Sequence, residues 1–201
     1  MDAAQGLFLS IGYLQTTVQD IVRKVNVAQG TFYYYYNSKE SILEAITIRH
    51  INKTIEKMQS TELINATALD KLTLFINLFY YLCHKDIVGQ ISDVLYKEKQ
   101  GILINKLWRL TLTATSPILI SILEQCNQEG VSKVTRMEES LAFFNGIMAA
   151  LLESSSPTTY GHETDIQIIK SKVHIAERLF ENLFQLPEGS LRLKAFWSEE
   201  E

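Results

Sequence analysis

The sequence is poor in proline and cysteine. Three prolines and nine glycines in 201 residues argue against a loop-rich or disordered chain. The two cysteines, Cys83 and Cys126, lie far apart in apolar surroundings with no metal-ligand spacing between them, so they read as buried free thiols of a reducing compartment. No apolar run is long enough to cross a membrane. The best candidate, "LTLFINLFYYLC" from Leu72 to Cys83, falls short of the roughly 20 residues that ~30 Å of hydrocarbon requires, and it carries Asn77 inside. The start, "MDAAQG", is acidic rather than basic, and no small-residue cleavage site follows an apolar run, so no secretory signal is read and a cytoplasmic protein is expected. Positive charge is also lacking. The formal net charge of −4 withholds the global field that would announce a nucleic-acid binder. Catalytic signatures are missing as well. His50, His84, His162 and His174 show neither HExxH nor Cys/His spacing, and no GxSxG, Walker or GxGxxG motif occurs. The expectation is a non-enzyme with no metal or cofactor.

What is present is helical periodicity. With 46% hydrophobic and 21% charged residues, the chain can bury a real core. Apolar residues recur at i, i+3, i+4 and i+7 along most of it. Leu7, Phe8 and Ile11 mark a first helix ending near Gly12; Val18, Ile21, Val22 and Val25 a second; Gln29–Tyr36 a third; Ser38 to about Met58 a fourth. Further helices are predicted over Ala66–His84, Ile87–Lys97, Ile102–Gln128, Glu138–Glu153 and Asp165–Leu186. Pro117 should kink or divide the seventh, and "SSSPTTYGHE" is the clearest loop. No strand pair is visible, and the predicted fold class is all-α.

The first 45 residues are the most informative. Thr17-x-x-Asp20 has the form of a capping box, and "NSKE" repeats it with Asn37 and Glu40, placing helix starts near Val18 and Ser38. Between them the chain must turn sharply, and Asn26 tolerates the left-handed conformation. Two short helices, a tight turn and a supporting helix make a helix-turn-helix. The aromatic run "TFYYYY" favours a strand locally, but every neighbour is helical. Wound as a helix, Phe32 and Tyr36 face inward near Val27, while Gln29, Thr31, Tyr33, Tyr34 and Tyr35 face outward. Glutamine can pair with adenine, threonine and ring carbons can touch a thymine methyl, and tyrosine hydroxyls and lysine suit phosphate oxygens. Gly30 would let backbone approach closely. This is the chemistry of a helix lying in a major groove.

The segment "GYLQTTVQDIVRKVNVAQGTFYYYYNSKESIL" resembles the DNA-binding region of TetR-family transcriptional regulators. The likeness rests on Thr16, Thr17, Gly30, Thr31, Phe32, Tyr33, Ser38, Lys39 and Glu40 and covers about residues 6 to 45. It implies a helix-turn-helix domain over 1–45 and a helical ligand-binding and dimerisation domain over 46–201. It implies phosphate contacts from Thr17, Tyr33 and Lys39, base-facing or groove-wall positions at Gln29, Gly30, Tyr34 and Tyr35, either role for Thr31, and core positions at Phe32 and Tyr36. Thr16 belongs to the paired-threonine element. Ala28 stands where the family often has a capping serine, Asn26 where a turn glycine is frequent, and no basic arm precedes the first helix. Four cations balance four carboxylates in residues 1–50, which predicts a shallow salt dependence. "SPILISILEQCNQEG" is similar to a Pro-initiated helix of the family ending in a Gly turn.

The remainder offers materials for a receptor. Asn77, Tyr81 and His84, with Tyr80, form a stripe with polar tips. Trp108, Thr111, Leu112 and Thr115 form another, and Phe144 could face them. Phe143, Ile147 and Leu151, with Gly146, Ala149 and Ala150 for close approach, and Ile175, Leu179, Leu183 and Leu186 suit a four-helix homodimer interface. The reading is a regulator, most often a repressor, that binds double-stranded operator DNA and is released by a small, largely apolar effector. Such a dimer would set its recognition helices ~34–36 Å apart, and the fourth helix would carry the ligand's effect between domains. A helical adaptor of the same fold without specific DNA binding is the alternative.

Overall fold

The computed structural model describes residues 1–59, 66–153 and 166–193. The described part is built of helices: α1 Asp2–Ile11, α2 Val18–Lys24, α3 Gln29–Tyr35, α4 Lys39–Met58, α5 Ala68–His84, α6 Ile87–Lys97, α7 Gly101–Gln128, α8 Met137–Glu153 and α9 Ile166–Leu183. No strand occurs among the described residues. The expected loop "SSSPTTYGHE" and the acidic tip of the tail lie outside them.

The helix starts follow side-chain capping. Thr17 accepts from the Asp20 N–H and the Asp20 carboxylate accepts from the Thr17 N–H, closing a capping box. At α4 the box is Ser38 with Ser41, not the expected Asn37 with Glu40. Ser38 is the extended residue whose hydroxyl reaches the third helical amide, which leaves Glu40 free to reach another helix. The helix ends share a second device. Asn26, Lys99, Gly130 and Gln185 all have left-handed φ, and each is followed by an amide that reaches back five residues, as Val27 does to the Val22 carbonyl and Leu186 to Glu181. These are Schellman closures. The last one stops α9 at Leu183, short of the expected Leu186.

Pro117 neither divides nor starts a helix: α7 runs through it for 28 residues. Pro117 and Thr113, four residues earlier, both lie on the exposed face. The carbonyl deprived of its partner therefore faces solvent, where water satisfies it.

Two large apolar clusters fill the molecule. One gathers Phe75, Phe79, Phe144, Phe180 and Phe184, with Leu72, Leu123 and Met148, from α5, α7, α8, α9 and the turn that follows α9. Its rings sit 5.3 to 6.2 Å apart. The other joins Phe8, Ile21, Val22, Phe32, Leu43 and Ile46 of the N-terminal helices to Ile91, Leu95 and Leu107 of α6 and α7. The head's core is thus shared, because two helices from beyond residue 46 complete it. Cys83 and Cys126 are free thiols. Burial raises both pKa values, that of Cys126 to about 11. No described helix is long and apolar enough to cross a membrane.

Candidate functional site

The aromatic run winds into α3, and its residues part as their helical positions dictate. Phe32 is buried, touching Tyr33 edge-on at 5.4 Å and Tyr36 at 5.7 Å. Tyr36 is half-buried against the head cluster. Val27, expected near this inward face, is exposed, because it follows the left-handed Asn26 and lies in the turn rather than on either helix. Tyr33, Tyr34 and Tyr35 are 50%, 83% and 69% exposed, and Gln29, Gly30 and Thr31 share that open surface. A Cβ built on Gly30 would meet nothing. Three phenol rings, an amide and a hydroxyl therefore project from one short rod, with Tyr34 and Tyr35 packed edge-on at 4.9 Å. The rod begins at Ala28, which is extended and supplies no side-chain cap.

The two threonines have separate jobs. Thr16 is fully buried and donates to the Gly12 carbonyl at 2.6 Å. Thr17 is exposed at the start of α2, its hydroxyl bonded to the Asp20 carboxylate at 2.6 Å. Lys39 behaves differently from a phosphate-seeking side chain. Its ammonium donates to the carbonyls of Tyr13 (2.6 Å), Thr16 (2.8 Å) and Leu14 (3.3 Å) and lies 4.3 Å from the Tyr13 ring centroid. Desolvation lowers its pKa. It staples the start of α4 to the α1–α2 turn.

A second site opens in the larger part. A cavity of about 420 Å³ lies between α5, α6, α7 and α8. Of the residues expected to bind a ligand, His84, Trp108 and Thr111 line it. Asn77, Tyr81 and Phe144 are not in its wall. Asn77 donates to the Thr73 carbonyl of its own helix, Tyr81 is exposed, and Phe144 belongs to the aromatic core. Sequence reading passed over Ser92, Asp93, Tyr96, Asn105 and Glu153, which complete the polar part of the wall. Burial lowers the His84 pKa to about 4, with Lys85 adding to the effect, so its imidazole is neutral at neutral pH.

The cavity's helices are tied to the head by contacts no local motif revealed. Asp86, the cap of α6, bonds His50 of α4 at 2.7 Å, and His50 also lies 3.3 Å from Gln5 of α1. At the other end of α6, Glu98 accepts from the Leu14 N–H at 3.0 Å. Gly12, at φ 94°, makes room: a Cβ there would sit 2.3 Å from the Glu98 carboxylate. Lys106 of α7 bridges Glu40 and Glu44 of α4 at 2.5 and 2.6 Å.

Residues 1–46 match the family model described as bacterial regulatory proteins, tetR family. The fatty acid metabolism regulator protein of Bacillus subtilis (strain 168) is 35% identical over 86 residues, covering 43% of this chain and 44% of the relative. That match spans less than half of the relative's length. Among solved structures, the transcriptional regulator FadR from Bacillus subtilis in complex with stearoyl-CoA aligns with a TM-score of 0.58 at 23% identity, over 91% of this chain and 95% of its own. A bacterial regulatory protein in the tetR family from Rhodococcus RHA1 aligns with a TM-score of 0.56 at 18% identity, over 92% of each chain. At these identities the structural likeness speaks for the fold.

Proposed function

On a chain whose residues 1–46 belong to the tetR family of bacterial regulatory proteins and whose fold is that of solved tetR-family regulators, we propose a ligand-responsive transcriptional regulator that represses by occupying operator DNA. The observation that carries the reading is the outward face of α3. Tyr33, Tyr34 and Tyr35 stand in solvent at a cost that packing inside the molecule does not repay, whereas a major groove would bury them. Tyr33 and Thr17 meet phosphate, while Gln29, Tyr34 and Tyr35 read base edges and groove wall. Thr16 and Lys39 hold the turn that presents them.

Two copies act together. Phe143, Ile175 and Leu179 of α8 and α9 are 67%, 55% and 47% exposed, and Gly146 beside them leaves open space. These faces suit a two-fold homodimer that sets two α3 rods one DNA turn apart, ~34–36 Å. The effector is a small, largely apolar molecule in the cavity between α5 and α8, and the chain works in the cytoplasm. A ligand that displaces α6 or α7 pulls on the Asp86–His50, Glu98–Leu14 and Lys106–Glu40/Glu44 ties, and through α4 and the α1–α2 turn it moves the head. Such coupling needs about 1–3 kcal/mol of difference in ligand affinity between the two arrangements.

The test is fluorescence anisotropy with labelled DNA from upstream of the protein's own gene and with its scrambled counterpart, at low and physiological salt. Tighter binding to the native sequence is expected, and Gln29→Ala should relax selectivity at one or two positions. Equal weak binding to both duplexes refutes the regulator and favours an adaptor.

A further inference from the structure

We propose that the cavity between α5, α6, α7 and α8 takes an apolar molecule bearing one uncharged oxygen, a hydroxyl or a carbonyl, which hydrogen-bonds to the ring nitrogens of His84 and Trp108. The inference deepens the regulator reading and rests on its assumption that this cavity holds the effector. Several polar groups of the wall are already engaged. The Ser92 hydroxyl donates to the Val88 carbonyl at 2.8 Å and the Thr111 hydroxyl to the Leu107 carbonyl at 3.0 Å. Asp93 and Glu153 have interactions of their own. His84 and Trp108 differ. His84 packs on the Tyr80 ring at 5.3 Å and Trp108 stands edge-on to Phe79 at 5.8 Å, yet neither has a ring nitrogen hydrogen-bonded to any described residue. Nor are these nitrogens sealed in. The fully buried side-chain polar atoms without a partner among the described residues are Arg49 Nε and Ser190 Oγ, so the nitrogens of His84 and Trp108 keep access to the space that both side chains line.

Phe79, which carries the Trp108 ring, lies one helical turn before Cys83 on α5, and Cys83 and His84 both line the cavity. The indole and the imidazole therefore share one corner, where α5 meets α7. Burial holds the imidazole neutral, with a pKa lowered to about 4. A neutral imidazole offers one donor and one acceptor, and an indole one donor. A hydroxyl can pair with both rings in either imidazole tautomer, and a carbonyl oxygen can accept from both N–H groups. In solution, water serves these nitrogens. A hydrocarbon filling the space displaces that water and returns no hydrogen bond, whereas an oxygen on the ligand restores it. The rest of the molecule lies against Val88, Ile104, Leu107 and Leu152. The volume of about 420 Å³ is at the lower end of small-molecule sites, which suits a compact body of one or two fused rings.

The experiment compares tetralin, 1-tetralol and α-tetralone, which share a ten-carbon bicyclic body and differ by one oxygen. Binding to the purified full chain is read by isothermal titration calorimetry with no DNA present. A wall that offered only apolar contact would favour tetralin, which leaves water most readily. The expected result is the reverse, with the better of the two oxygen compounds at least about tenfold tighter than tetralin. Trp108→Phe and His84→Phe each keep an aromatic ring and remove the nitrogens. Each should narrow the preference for oxygen over tetralin by about threefold to tenfold. Tetralin binding as tightly as both oxygen compounds, no measurable binding of either oxygen compound, or a preference that both variants leave intact overturns the proposal. Release of operator DNA is measured separately by anisotropy. Oxygen-dependent binding without release would support the ligand class and count against the regulator reading.

Discussion

Replacing Lys39 by methionine separates a structural staple from a phosphate contact. The side chain keeps its apolar stem and loses the ammonium. Two carbonyl acceptors at 2.6 and 2.8 Å and a third at 3.3 Å then lose their donor. A hydrogen bond to a charged group contributes about 1.5–3 kcal/mol net, the third contact is too long to add much, and the ring contact with Tyr13 adds about 0.5–1 kcal/mol. Against this stands the desolvation that lowers the Lys39 pKa, which methionine no longer suffers. The balance is a loss of roughly 2–3 kcal/mol, large beside a total stability of about 5–15 kcal/mol. At an m-value of about 2–3 kcal/mol/M the urea midpoint falls by about 1 M with m unchanged. Protomer concentration must be held fixed, since the proposed dimerisation would shift the midpoint. The second assay is the salt dependence of DNA binding. Loss of a staple weakens binding through a misplaced turn and leaves the slope of log K against log salt nearly intact, whereas loss of a phosphate contact flattens it by about one unit. An unchanged urea midpoint with a slope flatter by about one would refute the staple and restore Lys39 to the phosphate-contacting role that the family resemblance implies.

Ala28→Ser should supply the missing cap of α3. The backbone at Ala28 is already extended, so a gain of about 1 kcal/mol is expected in urea unfolding; no gain would mean that the first α3 amides have other partners. His84 makes stability pH-dependent. Its folded pKa of about 4 lies below the ordinary 6.5, so the unfolded chain binds the extra proton and stability falls as pH drops from 6.5 towards 4. Between pH 7 and 5 the ceiling is ~2 kcal/mol, and allowing for partial exposure about 1 kcal/mol is expected, a slope that His84→Phe should remove. Leu179→Glu should convert the proposed dimer to monomer in sedimentation at micromolar concentration, because two-fold symmetry would place the new charge in the interface twice; a dimer left unaltered would move the interface elsewhere.

The helices were legible because burial imposes their period on the sequence, and the outward tyrosines because Phe32 leaves little choice of inward face. The ends were legible only where a residue type advertises them. Gly130 and Asn26 announce a left-handed residue, but Lys99 and Gln185 adopt the same conformation with no such signal, their preference overridden by the closing hydrogen bonds. Pro117 misled in the opposite sense, since its cost depends on where the orphan carbonyl points, and the apolar pattern alone does not reveal that. The cavity was half-visible. Trp108 and Thr111 share a helical stripe, yet Phe144 has the same amphipathic credentials and went into the core. The ties from Glu98 to Leu14 and from Lys106 to Glu40 span 84 and 66 residues, and no local rule reaches that far.

The head's charges explain how a neutral domain could still favour one DNA sequence. Arg23 is held by Asp20 at 2.5 Å, Arg49 by Asp2 at 2.6 Å and Gln5 at 2.7 Å, and Lys39 by backbone carbonyls. Of the cations in residues 1–50, Lys24 is left with no ion pair among the described residues. The bound carboxylates will not give way easily: the Thr17 hydroxyl and amide lower the Asp20 pKa, and Arg49 lowers that of Asp2. Little counterion release is then available from phosphate neutralisation, the term that dominates non-specific binding. In the proposed complex the contacts left are the Tyr33 hydroxyl on phosphate, which carries no sequence information, and Gln29, Tyr34 and Tyr35 on base edges and groove wall, whose strength depends little on salt and much on sequence. On the proposed reading, tying up Arg23, Arg49 and Lys39 would lower affinity for bulk DNA more than affinity for an operator, and would widen the ratio between them as salt rises.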